Sequence, residues 1–154
     1  MTVDRSRLIV PLAAPIYDTL WNAAYPIVRV TTGLFLIPHG AQKLFGAFGG
    51  AGFEATAAGF AKMGLEPGAL MAALAGGTEF FGGLLLVLGL FTRVAAAGAL
   101  ILLLVAVFHV HLQNGFFLSK GGYEYALFWA LMAFVVFIRG GGAFSIDRKL
   151  GKEF

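Results

Sequence analysis

GALMAALAGGTEFFGGLLLVLGLF, residues 68–91, is an unbroken apolar run interrupted only by Thr78 and Glu79. A membrane span needs ~20 mostly apolar residues, and this run meets that length. Spanning β-strands alternate apolar and polar side chains, whereas this run is continuous, so it reads as a helix. A carboxylate near the bilayer centre costs ~2.5–3.5 kcal/mol on insertion scales unless a partner compensates it. Ala72, Gly76, Glu79 and Gly83 fall at helical spacing on one stripe. Small residues on that stripe allow a second helix to approach closely, so Glu79 is expected to face a neighbour and not lipid.

Three further runs flank this one. Residues 20–40 carry Arg29 and close with Pro38 and Gly40; residues 94–112 carry His109 and His111; residues 122–138 open with Glu124 and are followed by Arg139. Hydrophobic residues make up 59% of the 154-residue chain and charged residues 12%, with a mean hydropathy of +0.85. Soluble domains carry roughly 25% charged residues, so a chain of this size cannot bury its apolar surface alone. The fold class expected is an all-α membrane protein, a bundle of four transmembrane helices over residues 20–139. An interfacial arm (1–19) precedes it and a Gly-rich basic tail (140–154) follows. Arg5 and Arg7 precede a short run broken by Pro11, a poor match to a cleaved signal peptide. There are no cysteines, which excludes disulfides and thiolate chemistry by this chain. The formal charge of +3 comes from basic residues flanking the runs, and no basic-aromatic patch of the nucleic-acid type is present.

Thr92 and Arg93 alone join the second and third runs, which forces an antiparallel hairpin. The long connection, 41–67, is Gly-rich at first; then Phe53, Ala57, Phe60, Ala61 and Met63 predict a short amphipathic helix at the membrane surface, ended by Gly64 and Pro67. Arg5, Arg7, Arg93, Arg139, Arg148, Lys149 and Lys152 lie on one side, against Lys43, Lys62 and Lys120 on the other. The excess of basic residues places both termini in the cytoplasm and the 41–67 loop outside. Counting 1.5 Å per residue from Gly40 and Gly68 puts Arg29 and Glu79 each ~16 Å deep. The expectation is a buried Arg29–Glu79 ion pair, either fixing the packing or flooring a polar site.

His39, Lys43, His109, His111 and Glu124 fall at the outer ends of their helices and are the candidate ligand-binding residues. His109 and His111 are two residues apart and face different ways, so only one can face the bundle fully. A histidine there suits a hydrogen bond to a quinone or substrate oxygen, and Glu124 either relays protons or stabilises a helix N-terminus. No metal site is expected, and a two-histidine haem is disfavoured by the nearness of the outer water. Phe45, Phe48, Phe53, Phe60, Phe116, Phe117, Tyr123 and Tyr125 form an outer aromatic zone, readable as an interfacial belt or as the mouth of an apolar pocket.

Arg29-Val-Thr-Thr-Gly33 followed by His39-Gly40-Ala-Gln-Lys43 resembles the first-helix motif of the DoxX family. Glu79, Gly82-Gly83 and Gly89-Leu-Phe-Thr92-Arg93 resemble its second motif, Gly122-Tyr-Glu124 the start of its last helix, and Gly140-Gly141-Gly142-Ala-Phe-Ser145-Ile-Asp147 its closing tail. The resemblance implies a four-helix protein of the bacterial inner membrane, working beside other membrane or redox subunits, with quinone as the associated acceptor. Two functions stay open at this point: a redox-system component binding a quinone in its outer half, or a non-catalytic accessory subunit packed on a larger membrane complex. Whether the chain is itself an enzyme is left open. A small transporter fits less well, because no inverted repeat or broken helix pair is visible.

Overall fold

The computed structural model describes residues 4–153, so residues 1–3 of the expected arm and residue 154 of the tail lie outside the described residues. The chain forms α1 (Ala14–Phe45), α2 (Gly52–Lys62), α3 (Gly68–Leu88), α4 (Thr92–Asn114), α5 (Glu124–Arg139) and α6 (Ile146–Leu150). Among the described residues, three helices are long and apolar enough to cross a membrane: α1 with the turn from Pro11, α3 and α4. α5 has 16 residues, ~24 Å at 1.5 Å per residue. The short helix expected within 41–67 is α2.

α1 is longer than the sequence reading allowed. It starts at Ala14, taking in the last residues of the expected arm, and runs through Pro38 and Gly40 to Phe45. Pro15 sits in the first turn, where its missing N–H is not needed. Pro26 and Pro38 lie inside the helix, as membrane helices tolerate when neighbours re-satisfy the backbone. The helix ends where Gly46 turns left-handed at φ +68°.

α1 and α3 run antiparallel in backbone contact. A Cβ on Gly33 would strike the backbone of Gly83, and one on Gly40 would strike the backbone of Gly76 and Phe80. The stripe Ala72, Gly76, Glu79 and Gly83 is buried, as its spacing predicts. α4 and α5 pack through small side chains as well, with Ala95, Ala96 and Ala99 in one core cluster with Ala130, Ala133 and Val136.

The tail returns to close the α3–α4 turn. Gly89 is left-handed at φ +66°, and a Cβ there would collide with Ser145 and Arg29. Asp147 accepts from the backbone N–H of Phe91 and of Thr92, 2.9 Å each, and from the Thr92 hydroxyl at 2.7 Å. Its own N–H donates to the Gly89 carbonyl. The first donors of α4 are thereby capped by a carboxylate from far along the chain. This end of the bundle is called the tail end below, and the opposite one the α2 end.

Candidate functional site

Arg29 and Glu79 are both buried, at 1% and 7% exposure, but they do not meet. Glu79 is paired with Lys43, whose Nζ donates to both carboxylate oxygens at 2.7 and 2.6 Å. Arg29 is held at the tail end. Its Nη1 donates to the Leu86 carbonyl and, at 3.0 Å, to the Val87 carbonyl; its Nη2 donates to the Phe144 carbonyl at 2.9 Å. The expected Arg29–Glu79 pair is corrected by helix register. The depth estimate set Gly40 level with Gly68, but Gly40 meets Gly76, about two turns further along α3. Arg29, one turn before Gly33, therefore reaches the C-terminal carbonyls of α3, which have no partner within the helix. Lys43, one turn beyond Gly40, reaches Glu79 instead.

Glu79 sits where α3 departs from α-helical bonding, in a π-helical segment over Thr78–Gly82. A second π-helical segment, Ala106–His111, lies in α4. Such bulges re-aim side chains and are frequent at functional sites. Both contribute to the wall of one cavity of about 540 Å³ at the α2 end. Its walls are apolar, from Phe35 and Leu36 on α1, Leu74 on α3, Ile101 on α4 and Trp129 on α5. Its polar groups are His39, Lys43, Thr78, Glu79, His111 and Tyr125. Phe60, Met63 and Leu65, on and just after α2, line it from that side. An apolar pocket with a few placed polar groups is the usual form of a small-molecule site.

The candidate residues divide. His39, Lys43 and His111 line the cavity together with Glu79. His39 Nε2 lies 3.5 Å from the Tyr125 hydroxyl. His111 Nδ1–H donates to the Gly121 carbonyl at 2.8 Å, which fixes the ring. His109 turns elsewhere: its Nε2–H donates to the Met63 carbonyl at 2.9 Å, fastening the end of α2 to α4. Glu124 also stays out of the cavity wall, because its carboxylate accepts from the Leu118 N–H at 2.6 Å and orders the α4–α5 loop.

Trp129 and Thr78 were not singled out as contributors to this site from sequence, and Tyr125 was named only as part of the outer aromatic zone. Trp129 is 8% exposed, stacks on Phe35 at 4.6 Å between ring centres, and has a buried Nε1–H with no acceptor. Only the one-turn spacing of Tyr125 and Trp129 marked them, and it is lost in a helix as aromatic as α5. Among the described residues, no three His, Asp or Glu side chains gather as a metal-binding group. A second hollow, about 370 Å³, lies at the tail end beside Asp147, Arg148 and Glu153. Asp147 and Glu153 there already hold the α4 start and Arg93.

The family model described as DoxX matches residues 24–112, more than half of the chain. Two curated relatives, both described as uncharacterized proteins of Haemophilus influenzae, are similar over parts of their length. One is 37% identical over 86 residues, covering 54% of this chain and 64% of the relative. The other is 28% identical over 78 residues, covering 51% of this chain and 52% of the relative. The chain thus spans less than two thirds of the length of either relative. No solved structure matches the chain.

Proposed function

The chain belongs to the DoxX family, and from that premise we propose that it is a multi-pass component of a redox system in the bacterial inner membrane, binding a quinone in the cavity at the α2 end. The observation that carries this reading is the Lys43–Glu79 pair set into an otherwise apolar cavity of about 540 Å³. The residues fit a quinone: the walls suit an apolar ring, while Lys43, His39, Tyr125 and the unpaired Trp129 N–H can hydrogen-bond ring oxygens. A bound quinone would supply two-electron, two-proton redox chemistry. The chain's own residues orient the head, keep water from it, and hold a proton at Glu79 or His39. Electrons then come from a partner redox protein.

In this reading α1, α3, α4 and α5 all cross the membrane. Support for α5 comes from its exposed Phe128, Leu131, Phe134 and Ile138, an apolar outer face suited to lipid. The tail end faces the cytoplasm, supported by Arg93, Arg139, Arg148, Lys149 and Lys152 around it, while α2 lies on the outer surface. The competing reading is a non-catalytic accessory subunit. It is favoured by Ile9 and Leu12 of the arm, 100% and 90% exposed, which offer a docking segment for a larger complex.

Mass spectrometry of protein purified in native membrane discs, scoring quinones and copurified proteins together, separates the two. Retained quinone, lost in Glu79→Gln protein that still folds, supports the redox reading. A quinone-free preparation in fixed ratio with another membrane complex supports the accessory reading.

A further inference from the structure

We propose that the cavity is entered sideways from the bilayer, through the crevice between the first half of α3 and α4, by a membrane-dissolved amphiphile whose hydrocarbon chain stays in that crevice while its oxygen-bearing head lies against Lys43 and the Trp129 indole N–H. The inference rests on the quinone reading for the identity of the head, and on independent geometry for the route.

The route is set by how α3 packs. Its first half lies mainly on α1 and α2, and contact with α4 comes chiefly from the π-helical segment and the turns after it. The two helices touch at Thr78 and Gly98, where a Cβ on Gly98 would meet the Thr78 methyl at 3.3 Å. Beyond that point, toward the α2 end, α3 leans on α1 and α2 instead of on α4. Leu74 on α3 and Ile101 and Val105 on α4 line the cavity and are at the same time 55%, 65% and 41% exposed. Where side chains on two facing helices belong both to a cavity wall and to the outer surface, an opening lies between them, and this one is rimmed by hydrocarbon. On a helix that crosses a bilayer, such a rim faces lipid and not water. Phe60, Met63 and Leu65 lie over the cavity from α2, and the His109–Met63 bond ties that cover to α4. The way from the aqueous side is thus roofed by apolar groups, and the way from the side is not.

The head is argued from the other end of the cavity. A buried indole N–H usually finds an acceptor. The Trp129 N–H has none among the described residues although the ring lines the cavity. Lys43 has donor capacity beyond the Glu79 carboxylate. A carbonyl, hydroxyl or ester oxygen serves both, so a quinone and a phospholipid share the required chemistry: a hydrocarbon chain joined to an oxygen-bearing head.

The chain has no cysteine and two tryptophans, which gives a clean test. Trp21→Phe leaves Trp129 as the sole indole. This protein, carrying Leu74→Cys and Ile101→Cys on the exposed rim, is reconstituted in vesicles of phosphatidylcholine brominated along the acyl chains. Trp129 fluorescence is then read before and after bridging the two thiols with a reducible cross-linker. Quenching that is relieved by the bridge and restored by reductant is the expected result. If the cross-link fails to form, Leu74→Phe with Ile101→Phe narrows the same crevice and should give the same relief. Quenching unchanged by either closure overturns the lateral route. Adding decylubiquinone tests the head separately. If it displaces bromolipid quenching in the open protein only, route and quinone reading both stand. If closure relieves quenching and decylubiquinone has no effect, the route stands with phospholipid as its occupant and the quinone reading falls.

Discussion

Lys43 Nζ lies within 2.7 Å of both carboxylate oxygens of Glu79, joining the last turn of α1 to the π-helical bulge of α3. Removing either partner strands a charge in a largely apolar cavity, a loss that runs to ~3–5 kcal/mol for buried pairs. Lys43 keeps some exposure, 26% of its side chain, so the lower end applies. Glu79→Gln and Lys43→Met are each expected to lower the melting temperature and abolish retention of quinone. The exchange Lys43→Glu with Glu79→Lys should recover most of the stability. Thermal denaturation in detergent reads this, and an exchange no more stable than the singles would show that the contact is not an ion pair that matters.

Arg29 and Glu79 should behave as independent sites. Arg29→Met frees the carbonyls of Leu86, Val87 and Phe144 and is expected to cost ~2–4 kcal/mol. Well-separated sites without shared partners add to within ~0.5 kcal/mol. Combining Arg29→Met with Glu79→Leu should therefore be worse than either alone. Rescue in the double variant, measured by the same melts, would mean that the two charges are coupled after all.

Gly40→Ala should separate α1 from α3, because its new methyl would meet the backbone of Gly76 and Phe80, which cannot swing aside. Gly77→Ala, one residue from that contact, adds a methyl with nothing within 4 Å. The former is expected to lose folded protein on size-exclusion chromatography and the latter to be neutral or slightly stabilising, since alanine favours helix by ~1 kcal/mol over glycine.

Asp147→Ala removes three accepted hydrogen bonds at the start of α4. Losing a helix cap costs ~0.5–2 kcal/mol, and a buried charged cap falls at the upper end. Hydrogen exchange should quicken at Phe91 and Thr92 with little change around Glu79, and uniform acceleration would argue that the cap does not act locally.

Single cysteines in this cysteine-free chain test topology. Lys62→Cys is expected to react with a membrane-impermeant maleimide added to intact spheroplasts, and Lys149→Cys only after lysis. The opposite pattern would invert the proposed orientation.

The burial of the charges was legible in the sequence, and their partners were not. Ala72, Gly76, Glu79 and Gly83 share a face at any helix register, so the stripe alone predicts that Glu79 is buried. Which cation reaches it depends on the offset between α1 and α3, and that offset is set by Gly33 meeting Gly83 and Gly40 meeting Gly76. Pro38 suggested an end to α1 where the helix in fact continues, and this moved the expected level of Arg29 toward that of Glu79. The motif residues Gly89, Thr92, Ser145 and Asp147 were visible as a pattern. Their joint task of closing one turn needs contacts across some 55 residues of chain, which periodicity does not report. Glu124 and His109 sit at the expected helix ends, but a bond within the α4–α5 loop claims the first and the Met63 carbonyl at the end of α2 claims the second, and both depend on backbone geometry that the sequence leaves free.

The Asp147 clasp also orders assembly. The α3–α4 hairpin is made early in synthesis, yet the groups that fasten its turn leave the ribosome only after α5 has followed. Until then the Phe91 and Thr92 N–H groups lack the Asp147 carboxylate that accepts from them. Fastening the turn is therefore a late act, added to a register that Gly33 against Gly83 and Gly40 against Gly76 already define. A chain interrupted between Gly140 and Phe144 would carry all of α1 to α5 and still lack the clasp on the α3–α4 turn.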